Sequence, residues 1–386
     1  MTILHSRIGI EIELIAPPGS SRRDLADRLS ADHRGTVTRM FHTDSEPSLV
    51  PGMGHFWHLT PGFSVVDDSG RLLALLVDDV TLIADLHREH EAARATATTL
   101  LPHLDEHQYR ILSDDPRLLR LVARHTHADT PFDRVLDDVA ALFGSTVERV
   151  GAVRRLRDPY GASIALATGV AIGRERPCEI VTPPLDADHE AALEDLLRPA
   201  RELGFTVPEE SAVHLHFDGA PFRSAAAFRN LVRLFGWWRA PLRDALATNP
   251  SCTRLAPLPD ALLELVEQPD AARSGQSDEW PRLQAAASST GLTKYFDVNL
   301  TALLTDEPTR DTVEVRILPG SLVAAEITSR ASLVERLLAR CLEPTPILPP
   351  TSTDPADAAI ELRSLAATQP TGTFIPLAEN RRVSGR

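Results

Sequence analysis

Acidic, imidazole and guanidinium side chains recur at two-residue spacing in several short apolar stretches of this chain. In RIGIEIELI (7–15), Glu11 and Glu13 alternate with Ile8, Ile10, Ile12 and Leu14. In AVHLHFD (212–218), His214, His216 and Asp218 alternate with Val213, Leu215 and Phe217. TVEVRILPG (312–320) carries Glu314 and Arg316 between Val313, Val315 and Ile317, and CEIVTP (178–183) adds Glu179. Side chains of a β-strand alternate across its two faces, so each stretch presents chemistry on one face and hydrocarbon on the other. Two carboxylates about 7 Å apart on one strand repel, and a cation between them turns repulsion into attraction. Two imidazoles at i, i+2 can face one metal ion or one phosphate. A wet edge strand accounts for any one of these stretches alone. Four with one signature point to a single sheet, with helices on one face and a polar cavity on the other. Carboxylates and histidines at that density call for a divalent metal, and an arginine beside them for phosphate. Mg²⁺ with a nucleotide meets both demands.

The elements that must position these residues read as α+β. Short alternating strands interleave with helical patterns at 22–31, 86–145, 187–203, 222–247 and 322–341, and DDSG (67–70) signals a hairpin. Short alternating strands favour an antiparallel sheet with one covered face over a doubly wound parallel sheet. The expected organisation is a catalytic domain over 1–341, with a helical insertion over about 86–145. A proline-rich linker and polar tail follow over 342–386.

The 386 residues are 43% hydrophobic and 24% charged, with a formal net charge of −14. That balance allows a core and argues against general nucleic-acid binding or an anionic membrane surface. Cys178, Cys252 and Cys341 lack CxxC spacing and fit a reducing compartment. No apolar run is long enough to span a bilayer, and a strand pattern begins within seven residues, so a cytoplasmic protein without a signal peptide is expected. Lys294 is the only lysine among 40 basic residues; composition bias accounts for this first, and the retained lysine points second to a position where arginine would not serve.

GIEIEL, CEIVTPPL, HLHFD, KYFDVNLTAL and TVEVRILPGS, in that order over about residues 7–330, resemble the amidoligase family. That family belongs to the carboxylate–amine ligases, distant relatives of glutamine synthetase and glutamate–cysteine ligase. The resemblance implies a glutamine-synthetase-like antiparallel catalytic sheet, ATP, and Mg²⁺ or Mn²⁺. It implies metal ligation by Glu11, Glu13, Glu179, His214 and Glu314. His216 and Arg316 look like contacts to nucleotide phosphate, and Lys294 and Asn299 resemble substrate- or phosphate-side positions. Asp44 and Ser48 match a short Asp/Ser motif of relatives more loosely. The implied reaction joins a small-molecule or peptide carboxylate to an amine through an acyl phosphate. Self-association as a homo-oligomer is left open.

Two other readings stand beside it: a metal-dependent hydrolase using the same Glu/His cluster, and a non-catalytic binding module on the same fold. The hydrolase lacks a compact motif such as HExxH. His87 and His90 in HREH read as solvated helix positions, and His125 and His127 in RHTHAD as the end of a helix. GHFWHLTPGF (54–63) and Trp237–Trp238 read first as packing, and Cys178 as a core residue opposite Glu179.

Overall fold

A computed structural model describes residues 4–47, 55–82, 86, 88, 106–170, 173–252, 255–268, 279–306, 308 and 310–367. The chain forms two compact units. The first holds the described residues of Met1–Ile12, Thr182–Arg198 and Glu209–Arg386; the second holds those of Glu13–Val181 and Pro199–Pro208. Strand β1 (Ile8–Ile15) runs from the first unit into the second. His87, His90 and Ser48 lie outside the described residues, as does the tail beyond 367.

The second unit is an antiparallel meander. Helix α1 (Arg22–Asp32) leads into β2 (Thr36–Pro47), which pairs along its whole length with β3 (His55–Val66). Gly35 makes the hook between them, since a β-carbon there would lie 1.7 Å from the Val66 carbonyl oxygen. The expected DDSG turn joins β3 to β4 (Leu72–Val77): Gly70 takes φ +82°, and Asp67 accepts hydrogen bonds from the Ser69 and Arg71 amides. Strand β5 (Tyr109–Ser113) also pairs with β3 and is followed by α2 (Pro116–His125) and α3 (Asp137–Leu142). Strands β6 (Glu148–Val150), β7 (Val153–Arg157) and β8 (Ser163–Gly169) extend the meander from β5, while β9 (Pro177–Val181) pairs with β4. Leu59, Tyr109, Ile111, Leu119, Val122, Val139, Leu156 and Ala167 form its core between sheet and helices. Three readings missed strands here: β2, β5 inside the expected helical stretch, and the β6–β8 ribbon, whose Arg-rich and Gly-rich sequence hides its alternation.

Helix α4 (His189–Glu202) leads to β10 (Ala212–Asp218) in the first unit. The single long helix expected over 222–247 is two, α5 (Ala225–Trp237) and α6 (Arg239–Ala245). Pro241 sits in the first turn of α6, where its missing N–H costs no intrahelical hydrogen bond. Helices α7 (Asp260–Glu267) and α8 (Glu279–Ala287) precede β11 (Val298–Asn299) and β12 (Thr312–Pro319). Helices α9 (Ala324–Cys341) and α10 (Pro355–Ala367) follow, α9 packing on both α5 and α10. The proline-rich stretch after α9 lies along α5: the Asn230 amide donates to the carbonyls of Cys341, Glu343 and Thr345, and its oxygen accepts from the Ile347 amide. Among the described residues no helix is long and apolar enough to cross a membrane.

In the first unit the strand order is β11-β12-β10-β1, all antiparallel. Ile8, Ile10, Ile12, Val213, Leu215, Val313, Val315 and Ile317 are all fully buried or nearly so. The alternation read from sequence therefore fixes one apolar face for each of these strands, and leaves Glu11, His214, His216, Glu314 and Arg316 on the other.

Candidate functional site

Register brings the polar residues of the first unit together. Glu11 on β1 stands opposite His214 on β10; His216 stands opposite Glu314 on β12, and Glu314 opposite Asn299 on β11. Directly opposed residues share a face. His214 Nδ1 lies 3.3 Å from Glu11 Oε2 and 3.7 Å from Glu314 Oε1. A carboxylate only accepts, so the hydrogen bond to Glu11 uses the tautomer with the His214 proton on Nδ1. His216 Nε2 lies 3.2 Å from Glu11 Oε1, and its Nδ1 is 3.4 Å from Thr312 Oγ1. Asn299 donates from Nδ2 to Glu314 Oε2 at 2.7 Å while its own oxygen accepts from the amide and hydroxyl of Thr301. The Arg316 guanidinium pairs with Glu314 Oε1.

The electrostatics follow from burial against pairing. Burial raises the carboxyl groups of Glu11 and Glu314, but their partners outweigh it. The charge on His216 and hydrogen bonds from both histidines hold Glu11 well below the usual range. The Arg316 and His216 charges hold Glu314 down against the opposing Glu11 charge. His214 is pushed down by burial and by Arg316 and stays neutral, whereas Glu11 and Glu314 overcome burial to raise His216. One neutral imidazole, one readily protonated imidazole and two ionised carboxylates result.

One ligand atom each from Glu11, His216 and Glu314 lie within 4.8 Å of one another. Oxygen and imidazole donors at that spacing suit a divalent ion such as Mn²⁺ or Mg²⁺. His216, expected against phosphate, is thus gathered with the carboxylates.

Glu13 and Glu179 belong to the second unit, Glu13 almost fully buried on β1 and Glu179 on β9 opposite Val77. Asp44 lies on β2 opposite His58. Lys294 sits in the first unit with its ammonium 5.3 Å from the centre of the Tyr295 ring. Cys178 is fully buried, and burial pushes its thiol up to about 12, as a core residue requires.

Two features escaped the sequence reading. Arg310 Nη1 lies 3.2 Å from Glu11 Oε1. Its signal was the parity of Arg310, Thr312, Glu314 and Arg316, which carries the two-residue period past the end of β12. Asp297 is held by Arg239 at 2.6 Å and Arg243 at 2.7 Å, and its carbonyl accepts the Arg316 amide. Nothing local in the sequence connects α6 to β11.

A family profile described as "Putative amidoligase enzyme" matches residues 4–338, and the chain belongs to that family. Membership points to an enzyme of ligase type. No curated protein and no solved structure matches the chain.

Proposed function

We propose that this protein is an ATP-dependent carboxylate–amine ligase on a glutamine-synthetase-like sheet. The observation that carries the reading is the convergence of Glu11, His216 and Glu314 within 4.8 Å beside the Arg316 guanidinium, in a family of ligase type. A carboxylate is a poor acyl donor because oxide would have to leave. Transfer of the γ-phosphoryl group of ATP to the carboxylate oxygen gives an acyl phosphate and ADP. An amine then attacks the carbonyl carbon, phosphate departs, and the amine nitrogen releases a proton.

Such a transfer needs positioning and neutralised charge more than a protein nucleophile. Glu11, Glu314 and His216 would hold a divalent ion, whose chemistry when bound is to neutralise phosphate oxygens. His214 orients Glu11 through Nδ1–H, and Asn299 orients Glu314. Arg316 supplies fixed positive charge for a phosphate oxygen. By resemblance Glu13, Glu179 and His214 are further ligands and Lys294 a phosphate-side group; the first unit alone carries the proposal.

Calorimetric titration of a non-hydrolysable ATP analogue, with and without Mg²⁺, into wild type and Glu11→Gln tests it. Binding that requires Mg²⁺ and weakens at least tenfold in the variant is expected. Analogue binding indifferent to metal and to the substitution overturns the reading.

A further inference from the structure

Glu11 Oε1 has two cationic neighbours, His216 Nε2 and Arg310 Nη1, each at 3.2 Å. An ion held by Glu11, His216 and Glu314 draws on the same carboxylate. The two arginines of the cluster differ in their freedom to yield. Arg316 is 14% exposed and lies within β12, its amide tied to the Asp297 carbonyl. Arg310 is 54% exposed and lies two residues before β12 begins. Its root is nonetheless fixed. The next residue, Asp311, is paired with Arg223 at 3.0 Å, and its carbonyl accepts the Gly219 amide. Arg223 itself donates to the carbonyls of Ala302, Leu303 and Thr305. A long side chain with a solvent-exposed head on an anchored root can swing without moving the backbone.

We propose that Arg310 occupies the cation position on Glu11 in the metal-free protein, yields it to the divalent ion, and then grips the nucleotide's phosphate chain. The inference rests on the nucleotide–metal reading above. With an ion on the Glu11 carboxylate, Arg310 would lose its partner and face a second positive charge. A phosphate held at that ion would offer its guanidinium a new anion, since the planar fork suits a pair of phosphate oxygens. Arg310 thus competes with the ion before loading and assists the nucleotide afterwards, and these effects have opposite signs.

Arg310→Ala and Arg310→Lys separate them. Mn²⁺ binding without nucleotide is measured by calorimetry, and binding of a non-hydrolysable ATP analogue is measured at saturating Mn²⁺. Arg310→Ala is expected to bind Mn²⁺ about 3- to 10-fold tighter, since a competing positive charge is gone. The same variant is expected to bind the analogue about tenfold more weakly, the loss of one charge-assisted contact. Arg310→Lys keeps the charge and should fall between wild type and Arg310→Ala on both scales. A merely structural arginine would lower both affinities together, and that result overturns the proposal, as does unchanged analogue affinity in Arg310→Ala. Wild type that binds no Mn²⁺ overturns the nucleotide–metal reading itself. Wild-type Mn²⁺ binding with an unaltered Arg310→Ala sinks only the role of Arg310.

Discussion

Two charged knots of the first unit use similar residues and match their charges differently. At Asp297, one carboxylate faces two arginines, and each oxygen has a close donor of its own: Arg239 Nε at 2.6 Å on Oδ2, Arg243 Nη1 at 2.7 Å on Oδ1. The strand-face cluster sets two carboxylates among two imidazoles and two arginines, and it shares its oxygens. Glu11 Oε1 is shared by His216 and Arg310, and Glu314 Oε1 by His214 and Arg316. The first arrangement is closed: the Asp297 side chain is 2% exposed and fastens α6 to β11. The second keeps donors that an incoming ion can replace. Saturated pairing marks a fastening, whereas shared, replaceable pairing marks a binding site, and substitutions can separate the two.

The largest contrast is expected at Arg316. Arg316→Ala should lower ligase turnover by about a thousandfold, as loss of a group that stabilises transferring charge does, and should cost less stability than Asp297→Ala because Glu314 keeps the Asn299 amide as a partner. ADP release at saturating Mg²⁺ reads the first effect and calorimetry the second. Asp297→Ala should show the reverse pattern. It strands two cations that are partly exposed, Arg239 at 32% and Arg243 at 20%. That discounts the usual penalty for a broken buried pair to about 2–3 kcal/mol of stability. Its Mn²⁺ affinity per folded molecule should stay within about twofold, since neither arginine touches a proposed ligand. If Asp297→Ala keeps its stability and loses Mn²⁺, the distinction between the knots is broken.

Asn299 joins the two regions, because it follows Asp297 on β11 by two residues and donates to Glu314 at 2.7 Å. Asn299→Ala should weaken Mn²⁺ binding about tenfold, the worth of one hydrogen bond to a charged group, while denaturant stability falls by less than in Asp297→Ala. Equal losses at both positions would place Asn299 with the fastening.

The strand-face cluster was largely legible in sequence because alternation is local: IGIEIEL, HLH and VEVR each declare a face by themselves. Register then joined those faces, and the apolar sets Ile10, Val213, Leu215 and Val315 leave each strand a single orientation. Asp297 was illegible for the opposite reason. Its partners Arg239 and Arg243 come from a helix more than fifty residues earlier, and no period links them. Arg310 fell just outside a strand whose parity it nonetheless keeps. The hairpin at 67–70 was readable through its turn chemistry. The β6–β8 ribbon was not, since VRRLR and SIALATG interrupt the alternation with arginine and small residues.

The smallest expected effect sharpens the same comparison through pH. Glu11 is held below its ordinary value of 4.5, so its contribution to stability is present above about 4.5 and is lost as pH falls toward its depressed value. His216 is raised above its ordinary value of 6.5, so its contribution is complete below about 6.5 and is lost as pH climbs through the raised value. The metal-free pair therefore stabilises most between about 4.5 and 6.5. In that window the thermal midpoint of wild type should exceed that of His216→Gln by about 1–2 °C, narrowing on either side. Mn²⁺ should follow the opposite course at the upper limit, because the ion requires the unprotonated imidazole and binds better as pH rises past the raised His216 value. The exposed Arg28–Asp32 pair serves as the control: lying outside the cluster, Asp32→Asn should show neither the window nor any change in Mn²⁺ affinity. A wild-type midpoint advantage that persists unchanged at pH 9 would mean that His216 is held by something other than Glu11's charge, and the cluster would then count as a second fastening.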